Sequence, residues 1–226
     1  MKQKIKGSTI ILLGLLAMFF SVYWTLFEAG LYSENLKIQY LYFTNQTTFV
    51  SGIYMLFLGL YYCGINKLRK WVFHPALKSS IMAYVSIVCI GYYVGVVPFS
   101  LYTAEELYLL APQSIYMHAI NPIIVLYLYL TTPFLIKKKK NISIKSLFYS
   151  LIYVLRYFSF VAAQAIVTGL YAYPFLDPHI MGGIENVIFA SLGVFIIGFL
   201  LVWVFLMYGH KKAVLLSDSL LGTNPN

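Results

Sequence analysis

The chain reads as an all-α, polytopic membrane protein, a six-transmembrane-helix bundle with both termini on the cytoplasmic side. Three observations predict this. Hydrophobic residues fill 61% of the 226 positions and charged residues only 10%, against about 25% charged in soluble domains. So few charges cannot cover a folded surface with polar groups, so lipid must be the solvent. Second, apolar runs of the length a spanning helix needs, about 20 residues, recur over 8–28, 40–62, 79–100, 114–136, 147–170 and 187–208. They are too long and too uniformly apolar for the alternating segments of about ten residues that build a barrel. Third, the charge between the runs alternates in sign. Residues 1–226 thus form a single integral membrane domain with short loops.

The first run follows Lys2, Lys4 and Lys6. Its lysine-rich head resembles a signal peptide, but the apolar stretch exceeds the usual core of about 7–15 residues and no small-x-small cleavage site follows. It reads as an uncleaved anchor. The connection after it holds Glu34 and Lys37, whereas Lys67, Arg69, Lys70 and Lys78 follow the second run. Glu105 and Glu106 follow the third, and Lys137 to Lys140 with Lys145 follow the fourth. Asp177 and Glu185 follow the fifth, and Lys211 and Lys212 the sixth. Basic residues concentrate on the side of the termini, which the positive-inside rule places in the cytoplasm. The net charge of +9 is therefore a set of topology signals and not a nucleic-acid surface.

Twenty-one tyrosines and 17 phenylalanines include many at span ends, among them Tyr42, Tyr102 and Tyr173, as interfacial anchors. Gly91-x-x-x-Gly95 has the spacing of a close helix contact. Cys63 and Cys89 differ in depth by roughly 15 Å at 1.5 Å per residue, too far for a disulfide, so both are expected to be free thiols. The sequon at Asn45 lies within a span and that at Asn141 faces the cytoplasm, so neither is expected to be glycosylated.

Polar residues inside the spans carry the chemistry, because lipid penalises them unless they face the bundle interior. Thr44, Thr48 and Ser51 share one face of the second run, with Thr47 adjacent, and Ser114, His118 and Asn121 share one face of the fourth, followed by Pro122. Both runs enter from the outer face. Thr44 and His118 each lie four residues in, roughly 6 Å down. A threonine hydroxyl becomes a nucleophile when a base takes its proton, and histidine is suited to that role. The same residues also have plain structural uses: a threonine can bond back to its own helix, and a histidine can tie two helices together.

Arg156 lies near the middle of the fifth run, where its charge implies a partner, a wet cavity or an anionic lipid group such as a fatty-acid carboxylate. Tyr173 is a second candidate contact for an acyl or carboxylate group. The segment Tyr171-Ala172-Tyr173-Pro174-Phe175-Leu176-Asp177-Pro178-His179 reads as a rigid cap over the outer mouth. Asp177 could orient His118 or simply cap a following turn. No Gly-x-Ser-x-Gly elbow, phosphate-binding glycine loop or metal-spaced histidine cluster occurs, so no cofactor or metal is expected.

Three segments resemble the androgen-induced-gene family of six-pass membrane proteins and its bacterial relatives. They are Tyr42-Phe43-Thr44-Asn45-Gln46-Thr47-Thr48, Met117-His118-Ala119-Ile120-Asn121-Pro122 and Tyr173-Pro174-Phe175-Leu176-Asp177. The resemblance spans roughly residues 8–208. In the animal members it implies hydrolysis of fatty acid esters of hydroxy fatty acids by an intramembrane threonine nucleophile and a histidine. By motif these fall on Thr44 and His118. The chain departs from that pattern in its polar run Asn45, Gln46, Thr47 and Thr48, which leaves Thr47 and Thr48 as rival hydroxyls and the lipid substrate open. Its lysine, isoleucine, tyrosine and asparagine usage points to a bacterial cell membrane.

The expectation is therefore a lipid-ester hydrolase with Thr44 as nucleophile, His118 as base, and Asn121, Asn45 or Thr48 as supporting polar groups. Membrane lipids and a lipid ester are the expected partners. The alternative is a non-enzymatic small transporter or lipid-binding protein organised around Arg156.

Overall fold

A computed structural model describes residues 2–28, 42–98, 112–135 and 144–220 of the chain. Every regular element among them is helical. The long helices are α1 (Lys2–Glu28), α2 (Phe43–Tyr62), α3 (Pro75–Ile90), α4 (Pro112–Thr131), α5 (Ile144–Thr168) and α6 (Ile184–Leu220). Five of them, α1, α3, α4, α5 and α6, are long and apolar enough to cross a membrane, which makes the chain a multi-pass membrane protein. The 20-residue α2 falls short of that because polar side chains crowd its first turns. The acidic connections with Glu34 and with Glu105 and Glu106, and the run Lys137 to Lys140, lie outside the described residues.

Glycines set the closest contact in the bundle. In the antiparallel pair of α1 and α2, Gly7 meets Gly59 and Gly14 meets Gly52. A Cβ on Gly14 would lie 2.7 Å from the Gly52 carbonyl oxygen, and one on Gly59 2.7 Å from that of Gly7. Only hydrogen fits at these four positions, which lets the two backbones touch. Gly91, singled out by its Gly-x-x-x-Gly spacing, is not such a contact: nothing lies within 4 Å of where its Cβ would stand.

α3 is the central helix. Residues 78–85 are all buried, packed among α2, α4, α5 and α6. Its polar groups stitch the neighbours together. Ser79 Oγ donates to the Phe205 carbonyl of α6 at 3.1 Å, and Tyr84 Oη to the Ser150 carbonyl of α5. Lys78, read from sequence as a cytoplasmic charge signal, is instead 2% exposed. Its Nζ donates to the carbonyls of Thr132 at 3.0 Å and Pro133 at 3.1 Å and lies 3.6 Å from the centre of the Phe134 ring. A helix leaves its last carbonyls without intrahelical donors; Lys78 Nζ reaches that of Tyr129 at 3.5 Å, and its two shorter bonds go to carbonyls just past the end of α4.

Two helices change pitch. α3 continues as a π-helical stretch over Gly91–Val96, and α4 carries one over Tyr116–Ile120 between two α-helical pieces. Each π stretch stops two residues before a proline, Pro98 and Pro122. Proline has no N–H to donate, and its ring crowds the carbonyl four residues back; a widened turn relieves that crowding. Single π turns of this kind concentrate at functional sites.

Candidate functional site

Thr44 is the second residue of α2 and His118 sits in the middle of the α4 π turn. Thr44 Oγ1 and His118 Nε2 are 3.4 Å apart. On the other side of the ring, Nδ1 lies 2.9 Å from the Ser114 carbonyl and 3.3 Å from Ser114 Oγ. A carbonyl can only accept, so Nδ1 carries the proton and Nε2 turns its lone pair toward Thr44. The threonine O–H is then the donor across the 3.4 Å gap. A working nucleophile–base pair spans about 2.6–3.2 Å, and such pairs are longer before substrate arrives.

The imidazole is also held in plane. The Tyr92 ring stacks on it with centroids 3.6 Å apart and an interplanar angle of 11°, and Ser114 Oγ donates to Tyr92 Oη at 2.7 Å. Tyr92 belongs to the π stretch of α3 and His118 to that of α4, so the two widened turns meet at this one ring pair.

The pair opens on a cavity of about 380 Å³. Its walls come from α2 to α6 and the loop between α5 and α6, and they are mainly apolar: Ile87, Val88, Met117, Val154, Phe158 and Val194. The polar lining includes Thr44, Asn45, Tyr92, Gln113, His118, Tyr157 and Tyr173. A small apolar chamber with a few placed polar groups is the usual form of a site for an apolar ligand with one reactive centre.

The loop between α5 and α6 closes one side. Tyr173 and Phe175 stack with centroids 5.2 Å apart, and Tyr173 meets Tyr42 edge-on at 5.3 Å. The first N–H groups of a helix lack intrahelical acceptors; that of Phe43 donates to Tyr173 Oη at 3.0 Å. The Tyr173, Thr44 and Tyr157 side chains line the same cavity. Burial pushes the Tyr173 phenol up to about 12, so it stays protonated at physiological pH.

Several residues proposed from sequence lie elsewhere. Thr47 and Thr48, 2% and 0% exposed, do not line the cavity, and neither hydroxyl has a hydrogen-bond partner among the described residues. Asn45 does line it, while its backbone carbonyl accepts from Ser21 Oγ at 2.7 Å. Asn121 is 1% exposed and lies outside the cavity wall. Its Nδ2 and Oδ1 lie 3.1 and 3.2 Å from Ser51 Oγ. It is a clamp between α2 and α4, one turn below His118, and not a group that reaches the reacting centre.

Asp177 accepts from the His179 N–H at 2.8 Å and caps the short helix Pro178–Met181; it does not face His118, whose Nδ1 is held by Ser114. Arg156 is exposed on the outer face of α5 and is absent from the cavity wall.

Sequence reasoning missed Tyr92 and the role of the Ser114 carbonyl. The prolines were the available signal, since Pro98 and Pro122 mark the two turns that bring Tyr92 and His118 together. No protein-family model matches the chain, and no curated protein or solved structure matches it either.

Proposed function

We propose that this protein is an intramembrane lipid-ester hydrolase, built as a six-span bundle with both termini in the cytoplasm, in which Thr44 attacks and His118 is the general base and acid. The observation that carries the reading is the oriented pair itself: Thr44 Oγ1 3.4 Å from His118 Nε2, with Nδ1 committed to the Ser114 carbonyl. In this arrangement a backbone carbonyl does what a carboxylate does in a Ser-His-Asp triad, fixing tautomer and ring angle.

The steps follow from that geometry. Thr44 Oγ–H gives its proton to Nε2 as the oxygen bonds to the acyl carbon, and the carbonyl electrons move onto the carbonyl oxygen. When the tetrahedral species collapses, the bond to the leaving alkoxide breaks and Nε2–H protonates that oxygen. Water then attacks the acyl-threonine by the same route, releasing a carboxylic acid and free Thr44. Apolar walls favour a fatty-acyl chain, and the resemblance to the androgen-induced-gene family points to fatty acid esters of hydroxy fatty acids. Charge distribution and composition favour a bacterial cell membrane.

Hydrolysis of a medium-chain 4-nitrophenyl ester by the purified, lipid-reconstituted protein tests the reading. We expect Thr44→Ala to lose turnover and His118→Ala to lose about 10²–10⁴-fold in kcat. Turnover by Thr44→Ala within about threefold of the parent would refute it.

A further inference from the structure

The reaction above puts a negative charge on the substrate carbonyl oxygen, and something must receive it. Neither asparagine proposed from sequence is well placed. Asn121 is spent on Ser51 outside the cavity, and Asn45 already has a further interaction of its own. From the geometry we infer that the Tyr173 phenol is the oxyanion donor, aimed by the N-terminus of α2. This rests on Thr44 being the nucleophile.

Three observations carry it. Tyr173 lines the same cavity as Thr44 and His118, and its hydroxyl sits at the backbone N–H of Phe43, the residue before Thr44. The tetrahedral oxygen forms one bond away from the carbon that Thr44 attacks, so a donor beside Thr44 is where an oxyanion donor must be. Second, the Phe43 N–H already occupies a lone pair of Tyr173 Oη at 3.0 Å. That bond fixes the oxygen and takes up a lone pair, not the phenol proton. The amide is also the first of the 20-residue α2, so its bond polarises the phenol with the positive end of the helix dipole behind it. Third, the ring cannot swing away, because Phe175 stacks on one side and Tyr42 meets its edge. A preorganised donor of this kind needs no rearrangement as charge develops.

The loop between α5 and α6 is thereby part of the catalytic apparatus. Its segment Tyr173-Pro174-Phe175 brings a protonated phenol over the first turn of α2.

The test uses Tyr173→Phe in the full-length, reconstituted protein with the 4-nitrophenyl ester, and Thr44→Ala alongside. Phenylalanine keeps the ring contacts and removes the hydroxyl. We expect kcat to fall about 10²–10³-fold with KM within about twofold. A Tyr173→Phe variant with parental kcat, or with only a raised KM, overturns the inference while a dead Thr44→Ala keeps the nucleophile. A fully active Thr44→Ala overturns both. Should Tyr173→Phe fail to fold, ring-fluorinated tyrosines at position 173 change the acidity and not the shape. Turnover that tracks phenol acidity supports the donor role, and turnover indifferent to it refutes that role.

Discussion

His118 is held from three directions: a carbonyl on Nδ1, a phenol ring on its face and a threonine hydroxyl at Nε2. Each restraint predicts a different loss. Tyr92→Ala removes a stack of the kind that contributes about 0.5–1.5 kcal/mol and lets the imidazole tilt; kcat should fall about tenfold at constant KM. Tyr92→Phe keeps the stack and should stay within about threefold of the parent in the same assay. The Tyr173 phenol, raised to about 12, should contribute no alkaline loss of activity below about pH 10, because it remains protonated there. A pH–rate profile of the Tyr92→Phe protein, which lacks the phenol stacked on His118, checks this.

At this scale the sequence was informative about identity and silent about alternatives. Thr44 and His118 stood out because polar side chains in lipid demand a reason. Their equal count from the predicted span ends was a coincidence of boundaries: in the structure Thr44 is the second residue of its helix, while His118 lies well inside α4, two turns past Pro112. The helices start at different levels, and that offset brings the two groups together. Nothing in the residue string could separate Thr44 from Thr47 and Thr48, since burial decides it and burial depends on the whole bundle.

The element scale is where the prolines act. Pro122 is buried and follows the π turn that carries His118. Pro122→Ala would restore an N–H and allow regular α pitch, turning His118 away from Thr44. We expect activity to fall at least about tenfold while the melting temperature is unchanged or higher, a split that thermal denaturation and ester turnover measure together. At the α1–α2 contact the prediction is the reverse. Gly52→Leu places a side chain where the Gly14 backbone already lies within contact distance; overpacking of this order costs about 1–3 kcal/mol or more, and stability should fall before the chemistry is touched. This glycine pairing was invisible to motif reading because its spacing is seven residues rather than four and because it needs two helices to be seen at once.

Across the whole molecule, polar groups at the two ends of the bundle serve opposite purposes. At the end where α2 begins they gather around the cavity. Beyond the far end of α4, Lys78 gives its protons to carbonyls of the chain leaving that helix. Lys78→Met strands those acceptors in a buried setting, and hydrogen bonds to a charged group contribute about 1.5–3 kcal/mol. A drop of several degrees in melting temperature with kcat preserved is the expected result. Fold class was legible from composition alone because lipid allows few solutions. The position of Lys78 was not, since a lysine between apolar runs looks the same whether it faces the cytoplasm or caps a neighbour.

The central claim is that Thr44 is the nucleophile and His118 activates it. Mass spectrometry of the reconstituted protein after reaction with a long-chain fluorophosphonate tests it most directly. The account predicts a single phosphonyl adduct on the peptide containing Thr44, lost in Thr44→Ala and strongly slowed in His118→Ala. An adduct on another residue, or labelling of His118→Ala at the parental rate, would contradict it.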